Sequence, residues 1–191
     1  MRELTYYVAT SLDGRIAGPG GAYDGFAVEG DHLPHLVEAW RETVPTHVLD
    51  ALGLAPRSER FDTVLMGWET YAVGLAEGVD SPYRHLRQVV LTREHADAAV
   101  PDEVELVSAD PVAFVRDLKA SDGGGLWLCG GGALASALLD EVDRLVLKVN
   151  PVLFGDGVPL VAPTGYAARR FELVDVTRFD SGAVVLEHRR S

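Results

Sequence analysis

The chain has 191 residues, of which 47% are hydrophobic and 24% charged, and its formal net charge is −12. This length is typical of a single domain with a buried core, so residues 1–191 are expected to form one domain. The negative charge argues against nucleic acid and anionic membrane surfaces as partners, because both select basic faces. No apolar run is long enough to span a bilayer, and the first residues resemble a strand rather than a signal peptide, so a cytoplasmic location is expected.

The cysteine and histidine content gives little support for a metal site. Cys129 is the only cysteine, which excludes an internal disulfide and disfavours a thiolate metal site. It lies in an apolar stretch, where we interpret it as a small hydrophobic residue. His32 and His35 have Asp31 and Glu38 nearby, but their spacing differs from that of a metal-binding helix. An exposed polar helix face is therefore the favoured interpretation, and no metal is predicted.

The first quarter of the chain indicates a strand, a long loop and a helix. Residues 3–10 form the first predicted strand, and residues 11–25 are rich in glycine, as expected of a lid or binding loop. Asp31 is a candidate cap for a helix that runs to about Thr43. Its apolar stripe includes Trp40, which we interpret as a core aromatic residue.

Strands and helices then alternate. Residues 46–52 suit a short helix, and the Asp110-Pro111 pair is a strong helix start because aspartate caps and proline suits the first helical turn. Residues 151–163 are expected to be irregular. The remaining predicted strands are 63–66, 89–92, 104–107, 126–129, 144–150, and the hairpin of 171–179 with 183–189.

This order of elements predicts an α/β fold. Strands that alternate with helices favour a mostly parallel sheet, and the final hairpin adds an antiparallel edge. We therefore predict a three-layer α/β/α domain with a mixed sheet. Ligands of such sheets bind beyond the carboxyl ends of the strands.

The stretch LWLCGGGALASALL, residues 126–139, is a candidate anion site. A strand here ends in Gly130, Gly131 and Gly132 and passes directly into a helical pattern. Glycines allow close approach of a phosphate, and the unpaired amides of a first helical turn favour negative charge. A tight turn without a ligand is an equally weighted alternative for three glycines alone.

Other strand ends carry residues that suit the same ligand. They are Ala9-Thr10, Gly67-Trp68 and Thr92-Arg93. The segment after Gly67 also opens into a helix, so two helix starts are expected to converge on one diphosphate. The spacing of a classical dinucleotide-binding fingerprint and that of a phosphate-binding GK[ST] loop are both absent.

The order of these motifs resembles that of the dihydrofolate-reductase-like fold. More closely, it resembles the riboflavin-biosynthesis reductase family, the RibD C-terminal domain, over nearly the whole chain. The segments that carry the resemblance are ATSLDGRIAG (9–18), VLMGWETY (64–71), VVLTR (89–93), LWLCGGGALASALL (126–139) and DRLVLKVNPVLFGDGVPL (143–160). Each segment alone is weakly specific, but five in the same order favour this fold and an NADPH site.

The resemblance implies a set of cofactor-binding residues. The glycine turn would contact the diphosphate and nicotinamide side, and the Gly67 helix would supply a second helix terminus. Arg93 would meet the adenosine 2′-phosphate through a bidentate contact, although a solvated surface arginine is the alternative. The implied cofactor-binding residues are Ala9, Ile16, Gly18, Gly67, Trp68, Thr70, Thr92, Arg93, Gly130, Gly131, Gly132, Ala133 and Leu134.

The chain departs from the family pattern in two places. Trp68 stands where the family usually has arginine, so one cation for the cofactor phosphates is missing and NADH is not excluded as the cofactor. The indole could instead stack on adenine. The substrate-binding DDPxLxxR-like segment is also absent, as is the deaminase domain often fused to the riboflavin-pathway reductase, so the chain resembles stand-alone members of the family.

Asp13 is the first candidate for a catalytic group, because the SLDG segment follows the first strand and faces the expected cleft. The alternative is a turn-forming aspartate before Gly14. Asp24 is a weaker candidate. Glu38 lies on the helix that supplies the substrate-side carboxylate in true dihydrofolate reductases.

These features together indicate an NADPH-dependent oxidoreductase. The resemblance implies hydride transfer to a small heterocyclic substrate such as 5-amino-6-(5-phosphoribosylamino)uracil or a pterin. The alternative is a non-catalytic nucleotide-binding or regulatory module on the same fold. The resemblance also implies a homodimer, formed through the terminal hairpin and residues 151–163.

Overall fold

The computed structural model describes residues 1–191 and is built on an eight-stranded sheet. Its strands are β1 (Leu4–Thr10), β3 (Phe61–Gly67), β4 (Arg87–Leu91), β5 (Val104–Val107), β6 (Gly125–Gly130), β7 (Arg144–Val149), β9 (Phe171–Arg178) and β10 (Val184–Arg190). Two short strands, β2 (Arg15–Ala17) and β8 (Val158–Pro159), form a separate antiparallel pair. The order across the large sheet is β5-β4-β3-β6-β1-β7-β10-β9. The first six strands are parallel, and β10 runs antiparallel to both of its neighbours.

Helices cover both faces of this sheet. They are α1 (His32–Ala39), α2 (Thr46–Leu52), α3 (Trp68–Ala76), α4 (Pro111–Ala120) and α5 (Gly132–Ala137). Buried residues of α4 and α5 pack with one face of the strands, and Trp40 and Tyr71 pack with the other. The predicted three-layer fold with a mixed sheet and a C-terminal hairpin is therefore confirmed. No helix is both long and apolar enough to cross a membrane.

Aromatic residues fill the core on the α1 side. The ring of Trp40 stacks on Tyr7 with centroids 4.6 Å apart, and Trp127 meets Tyr7 edge-on at 6.3 Å. The indole N–H of Trp127 donates to the Tyr7 carbonyl at 3.1 Å. Both tryptophans are buried, as expected of core residues. This packing fixes the central strands, whose carboxyl ends carry the candidate site.

The predicted start of α4 is confirmed, whereas the side-chain cap predicted for α1 is wrong. Asp110 accepts a hydrogen bond from the amide of Ala113 at 2.8 Å. The carboxylate of Asp31 instead accepts from the amides of Asp180 and Ser181 at 2.8 and 3.0 Å, in the turn between β9 and β10. Asp31 therefore ties α1 to the hairpin, a tertiary contact that local sequence does not show.

The helix predicted to reach Thr43 ends earlier. α1 stops at Ala39, and residues 41–43 form a separate 3-10 turn. Trp40 has φ −130° and ψ 40°, which are not helical values, so the chain turns away from the helix axis at this residue. The Trp40 indole stacks on the Tyr7 ring at the same point. Core packing therefore overrides the local helical pattern.

The glycine-rich loop and the segment after β7 support each other, although the sequence indicated only irregular structure for 151–163. Arg15 and Ala17 of β2 pair with Pro159 and Val158 of β8. A Cβ atom at Gly157 would lie 2.2 Å from the Ala17 carbonyl oxygen, so only glycine allows this approach. The pairing holds the loop after β1 against the β8 segment, beside the carboxyl ends of the strands.

Candidate active site

Two helix starts meet at the carboxyl edge of the sheet. Gly67 is the N-cap of α3 and Gly131 is the N-cap of α5, and neither helix is capped by a side chain. A Cβ atom built on Gly67 would lie 3.5 Å from the amide nitrogen of Gly131. The two turns are therefore direct neighbours. Their orphan amides make this edge favourable for an anion.

Glycine is required at two of the three glycine positions of the β6–α5 turn, for a different structural reason at each. Gly130 has φ +142°, in the range that side chains other than glycine rarely adopt, and its peptide bond to Gly131 is cis. A Cβ atom at Gly132 would lie 2.3 Å from the Pro159 carbonyl oxygen. Close packing against β8 therefore explains Gly132 without a ligand. Gly131, with φ −93°, has no such steric requirement.

A cavity of about 470 Å³ lies at these two helix starts, and we call it the helix-terminus cavity. It extends from the β6–α5 turn past α3 to the ends of β4 and β5 and to β8. Its lining residues are Gly67, Trp68, Glu69, Leu91, Thr92, Arg93, Glu94, His95, Ala109, Pro111, Gly131, Gly132, Ala133, Leu134, Ala137 and Val158. This volume falls within roughly 300–1,000 Å³, the usual range for sites that bind small molecules and cofactors.

Charges of both signs surround the cavity. Arg93 is exposed and forms none of the ion pairs of the chain, so its guanidinium is free to meet an anion. Glu69 and Glu94 also line the cavity and oppose a phosphate. The imidazole of His95 stacks on the Trp68 indole with centroids 4.1 Å apart and planes at 17°. One face of Trp68 is thus already covered, which leaves less of the indole for an adenine.

The structure brings together most of the residues that the resemblance implied. Eight line the helix-terminus cavity: Gly67, Trp68, Thr92, Arg93, Gly131, Gly132, Ala133 and Leu134. Gly130 and Thr70 lie directly behind the turn, where a Cβ at Gly130 would be 3.5 Å from the Thr70 hydroxyl oxygen. Ile16 packs against the core, and the Gly18 amide donates to the Ala22 carbonyl at 2.6 Å. Neither Ile16 nor Gly18 lines this cavity.

Asp13 holds the loop after β1 in place. Its carboxylate accepts hydrogen bonds from the Ser11 hydroxyl at 2.7 Å and from the amides of Phe154 and Gly155 at 3.0 and 2.8 Å. These bonds, the one from Ser11 first, lower the pKa of Asp13 to about 2. The group is ionised at neutral pH and does not serve as a proton donor there. Asp13 therefore ties the loop after β1 to residues 154 and 155, a tertiary contact that the local-turn alternative does not describe.

A second, smaller cavity of about 100 Å³ lies beside the ends of β1 and β7, and we call it the β1–β7 cavity. Ala9 and Lys148 are paired across the two strands and both line it. Since β1 lies between β6 and β7, this cavity is at the same carboxyl edge as the glycine turn. Its lining residues are Ala9, Phe26, Ala27, His32, Leu33, Leu36, Lys148, Asn150, Phe179, Ala183, Val184 and Val185.

The family model described as the RibD C-terminal domain matches residues 2–185. The chain belongs to this family. The resemblance drawn from the five motifs is therefore confirmed. A relative is the uncharacterized protein YwjB of Bacillus subtilis, 28% identical over 164 residues, with 83% of this chain and 82% of YwjB covered. The uncharacterized protein YyaP of the same organism is 23% identical over 195 residues, with 96% and 92% covered.

Solved structures share the fold of this RibD C-terminal domain. The putative riboflavin biosynthesis protein of Shewanella sp. PV-4 is 25% identical, with a TM-score of 0.75, 100% of this chain and 99% of that chain covered. The deaminase/5-amino-6-(5-phosphoribosylamino)uracil reductase of Thermotoga maritima is 18% identical, with a TM-score of 0.68, 100% of this chain and 57% of that protein covered. The RibD of Acinetobacter baumannii is 21% identical with a TM-score of 0.64, and the match covers 100% of this chain and 58% of that one.

Neither weaker carboxylate candidate lines the cavities of this RibD C-terminal domain. Glu38 is exposed and pairs with Arg41 and, at 2.8 Å, with Arg57. Asp24 is exposed and accepts no hydrogen bond from the protein. The β1–β7 cavity is therefore lined by no carboxylate.

The histidine interpretation needs a partial correction. His32, predicted to lie on an exposed face, is buried, with Nδ1 3.0 Å from the Ser181 hydroxyl oxygen and its ring against Phe179. It is buried because the β9–β10 turn covers the start of α1. His35 is exposed, as predicted. No group of three His, Cys, Asp or Glu side chains converges as metal ligands would.

Some lining residues of the two cavities were missed. Glu94 and His95 follow Arg93 directly and could have been found by extending that strand end. Ala109 and Pro111 follow β5. The short predicted strand before the Asp110 helix cap could have placed them at the carboxyl edge of the sheet. Lys148 lies inside a strand of alternating pattern, and only its pairing with Ala9 shows that it reaches a cavity.

Proposed function

We propose that this RibD C-terminal domain is an NADPH-dependent reductase that transfers a hydride to a small heterocyclic substrate. The observation that carries this proposal is the meeting of two uncapped helix starts, Gly67–α3 and Gly131–α5, at one cavity of about 470 Å³. Family membership supports the reductase class, and the uracil compound named for the Thermotoga maritima relative is a candidate substrate, as is a pterin.

The residues around the glycine turn fit a dinucleotide. A Cβ atom at Gly67 would lie 3.5 Å from the Gly131 amide nitrogen, so a side chain there would cover an amide that a phosphate needs to approach. We assign the diphosphate to residues 67–70 and 130–134, and a 2′-phosphate to Thr92 and Arg93. The nicotinamide would extend toward Ala9 and the loop that carries Ile16 and Gly18. When bound, the cofactor supplies the hydride.

Asp13 has a positioning role in this proposal. Its ionised carboxylate holds the amides of Phe154 and Gly155, and so anchors the loop that follows β1 to the segment that leads into β8. That loop flanks the proposed nicotinamide position. Precise placement of the reacting atoms is the main requirement of hydride transfer.

The alternative of a non-catalytic nucleotide-binding module has one specific observation in its favour. The candidate acid of the β1 loop, Asp13, is ionised and fully engaged in hydrogen bonds. Such a module would keep the helix-terminus cavity and bind the dinucleotide without turnover. An assay of NADPH oxidation distinguishes such a module from a reductase.

The proposal is tested by thermal unfolding with NADPH, followed by an activity assay. A ligand that binds only the folded state raises the free energy of unfolding by RT ln(1 + [L]/Kd), which is about 2.7 kcal/mol at 100 times Kd. We expect millimolar NADPH to raise the melting temperature by several degrees. We also expect at least one compound from a panel of oxo-pyrimidines and pterins to cause oxidation of NADPH, measured as a loss of absorbance at 340 nm. An unchanged melting temperature would reject both functions, and binding without oxidation would favour the module.

We also propose a homodimer formed through the sheet edge at β9. Leu173 and Val174 are 57% and 55% exposed on this unpaired edge strand, and Val176 is 37% exposed. A second copy of the chain would cover these apolar side chains and the edge. Sedimentation equilibrium of the wild type and of Val174→Lys tests this, with a dimer expected only for the wild type. A monomeric wild type at micromolar concentration would reject it.

A further inference from the structure

His95 and Trp68 form a stacked pair at the wall of the helix-terminus cavity. Their ring centroids lie 4.1 Å apart with planes at 17°, and both residues line the cavity. The backbone amide of His95 donates to the Thr92 hydroxyl oxygen at 3.1 Å, which fixes the turn that carries the imidazole. Trp68 in turn packs against the buried ring of Tyr71, with centroids 5.8 Å apart. The imidazole therefore has a firm support on one face.

The protein gives the ring nitrogens of His95 no partner. Neither nitrogen takes part in an ion pair of the chain or in a side-chain hydrogen bond. By contrast, a ring nitrogen of His32 lies 3.0 Å from the Ser181 hydroxyl oxygen, and one of His85 lies 2.9 Å from the Glu42 carbonyl oxygen. His95 is half-buried beside the cavity, so its ring N–H groups are available to a bound molecule.

The charges around His95 leave the cavity short of cations. Three charged residues line the cavity from α3 and from the connection after β4: Glu69, Arg93 and Glu94. At the start of α4, the carboxylate of Asp110 is occupied by the Ala113 amide at 2.8 Å, and Asp97 is exposed in the turn after His95. With a neutral imidazole, the lining sets one arginine against two glutamates. With an imidazolium, the cations and carboxylates of the lining are equal in number.

We propose that His95 determines cofactor specificity in the proposed reductase: its imidazolium joins Arg93 at the 2′-phosphate, so the preference for NADPH over NADH strengthens as pH falls. This inference rests on the proposed function and adds a residue and a pH dependence to its cofactor site. Histidine side chains normally change charge between about pH 5 and 8. A phosphate monoester keeps most of its second charge above its second pKa of about 6, so an imidazolium and a dianion coexist over part of this range.

The chemistry of the stacked pair supports this role. An imidazolium donates charge-assisted hydrogen bonds, which are roughly twice as strong as neutral ones. The face of the Trp68 indole stabilises a cation that lies over it. Trp68 stands where the family usually has arginine, so in this chain the indole supports a cation instead of supplying one. A ligand that favours the protonated imidazole binds more tightly as pH falls, and NADH, which lacks the 2′-phosphate, gains nothing from it.

Isothermal titration calorimetry with NADP⁺ and NAD⁺ at pH 6.5, 7.5 and 8.5 and constant ionic strength tests this inference. These oxidised cofactors share the adenosine half of NADPH and NADH and are stable in mild acid. For the wild type, we expect the ratio of the Kd for NAD⁺ to the Kd for NADP⁺ to be at least fivefold greater at pH 6.5 than at pH 8.5. His95→Gln should hold this ratio constant within twofold, because it keeps a hydrogen-bond donor but loses the charge. His95→Arg should keep the high ratio at all three pH values because its cation is permanent.

A matched control and the affinities themselves separate this inference from the proposed function. His47→Gln removes an exposed histidine that lines neither cavity and should retain the pH dependence of the wild type. A wild-type ratio that is flat with pH, or a pH dependence that survives in His95→Gln, overturns the inference, while NADP⁺ binding itself still supports the proposed function. An equal gain for NADP⁺ and NAD⁺ at low pH also overturns it, because the cation would then act on the shared diphosphate. No binding of either dinucleotide at any pH overturns both.

Discussion

Gly67 and Gly131 face each other across the point where α3 and α5 begin, and a methyl group on Gly67 would lie 3.5 Å from the Gly131 amide nitrogen. The same methyl group would be 3.7 Å from the Gly130 carbonyl oxygen and 3.8 Å from the Leu134 Cβ, which are ordinary contacts. The protein itself therefore tolerates a side chain here. The methyl group would instead occupy the space through which a ligand reaches the Gly131 amide.

Gly67→Ala is accordingly predicted to block the cofactor and spare the fold. Its φ of −78° suits alanine, so the melting temperature without ligand should change little. We expect the Kd for NADPH to rise at least tenfold, about 1.4 kcal/mol, because the methyl group covers a diphosphate amide. Tryptophan fluorescence titration measures it, and the melting temperature without ligand serves as the internal control. An unchanged NADPH affinity would place the diphosphate elsewhere.

The cofactor side of the site was predictable because its signals are local. Each glycine turn lies within one strand-to-helix connection, and the parallel order of β3 and β6 brings the two turns together. The β1–β7 cavity depends on strand register instead. Lys148 reaches a cavity because it pairs with Ala9, a residue far away in sequence. No local pattern contains that pairing, so the sequence pointed to carboxylates on the loop after β1 and on α1.

Errors at α1 have the same origin. Asp31 has the residue type and position of a helix cap, yet two amides of the β9–β10 turn occupy its carboxylate. His32 follows it and is buried under that turn. Capping rules describe local competition for hydrogen bonds, and here a tertiary partner wins. The helix itself and its inward-facing Trp40 were predicted because periodicity is a local property.

Arg93 and Glu94 should have opposite effects on NADPH. Arg93→Ala removes an unpaired guanidinium that we assign to the 2′-phosphate, so the Kd for NADPH should rise about tenfold and that for NADH should not change. Glu94→Gln removes a carboxylate from the same cavity and should lower the Kd for NADPH a few-fold at low salt. Arg170→Ala is the matched control. Equal weakening of both cofactors by Arg93→Ala would contradict the 2′-phosphate assignment.

Asp13 should control the order of the segment before β8. Asp13→Asn loses the charge on the acceptor of the Phe154 and Gly155 amides, so those amides should exchange hydrogen faster. Because the pKa of Asp13 is lowered from 3.8 to about 2, its contribution is present above pH 4 and is lost as pH falls to 2. Hydrogen exchange with mass spectrometry measures both effects. Asp24→Asn, which removes an exposed carboxylate without partners, should change neither.

Asp62 stabilises a buried arginine at the start of the sheet. The side chain of Arg2 is 5% exposed and binds Asp62, the Thr63 hydroxyl at 2.8 Å and the Gly124 carbonyl at 2.7 Å. Asp62→Ala leaves that charge without its carboxylate and should lower the free energy of unfolding by about 2–3 kcal/mol. Urea denaturation tests this. Asp50→Ala, which breaks the exposed pair with Arg84, should cost less than about 1 kcal/mol, and equal losses would contradict the distinction.

Lys148→Met should stabilise the protein. The pKa of Lys148 is lowered from 10.5 to about 8, so the unfolded state binds the extra proton between these values and the penalty is fully present below pH 8. One pKa unit corresponds to about 1.4 kcal/mol, and partial exposure reduces the effect, so we expect a gain of about 1–3 kcal/mol at pH 7.

The pH dependence of that gain is the sharper test. As pH rises from 8 to 10.5, the wild type loses its penalty and its free energy of unfolding should approach that of Lys148→Met. Urea denaturation of both proteins at pH 7, 8.5 and 10 measures the difference, in which the shared titration of tyrosines cancels. Arg170→Met should show a difference that is flat with pH. A Lys148→Met protein less stable than the wild type at pH 7 would mean that Tyr7 and the surrounding dipoles already compensate the ammonium.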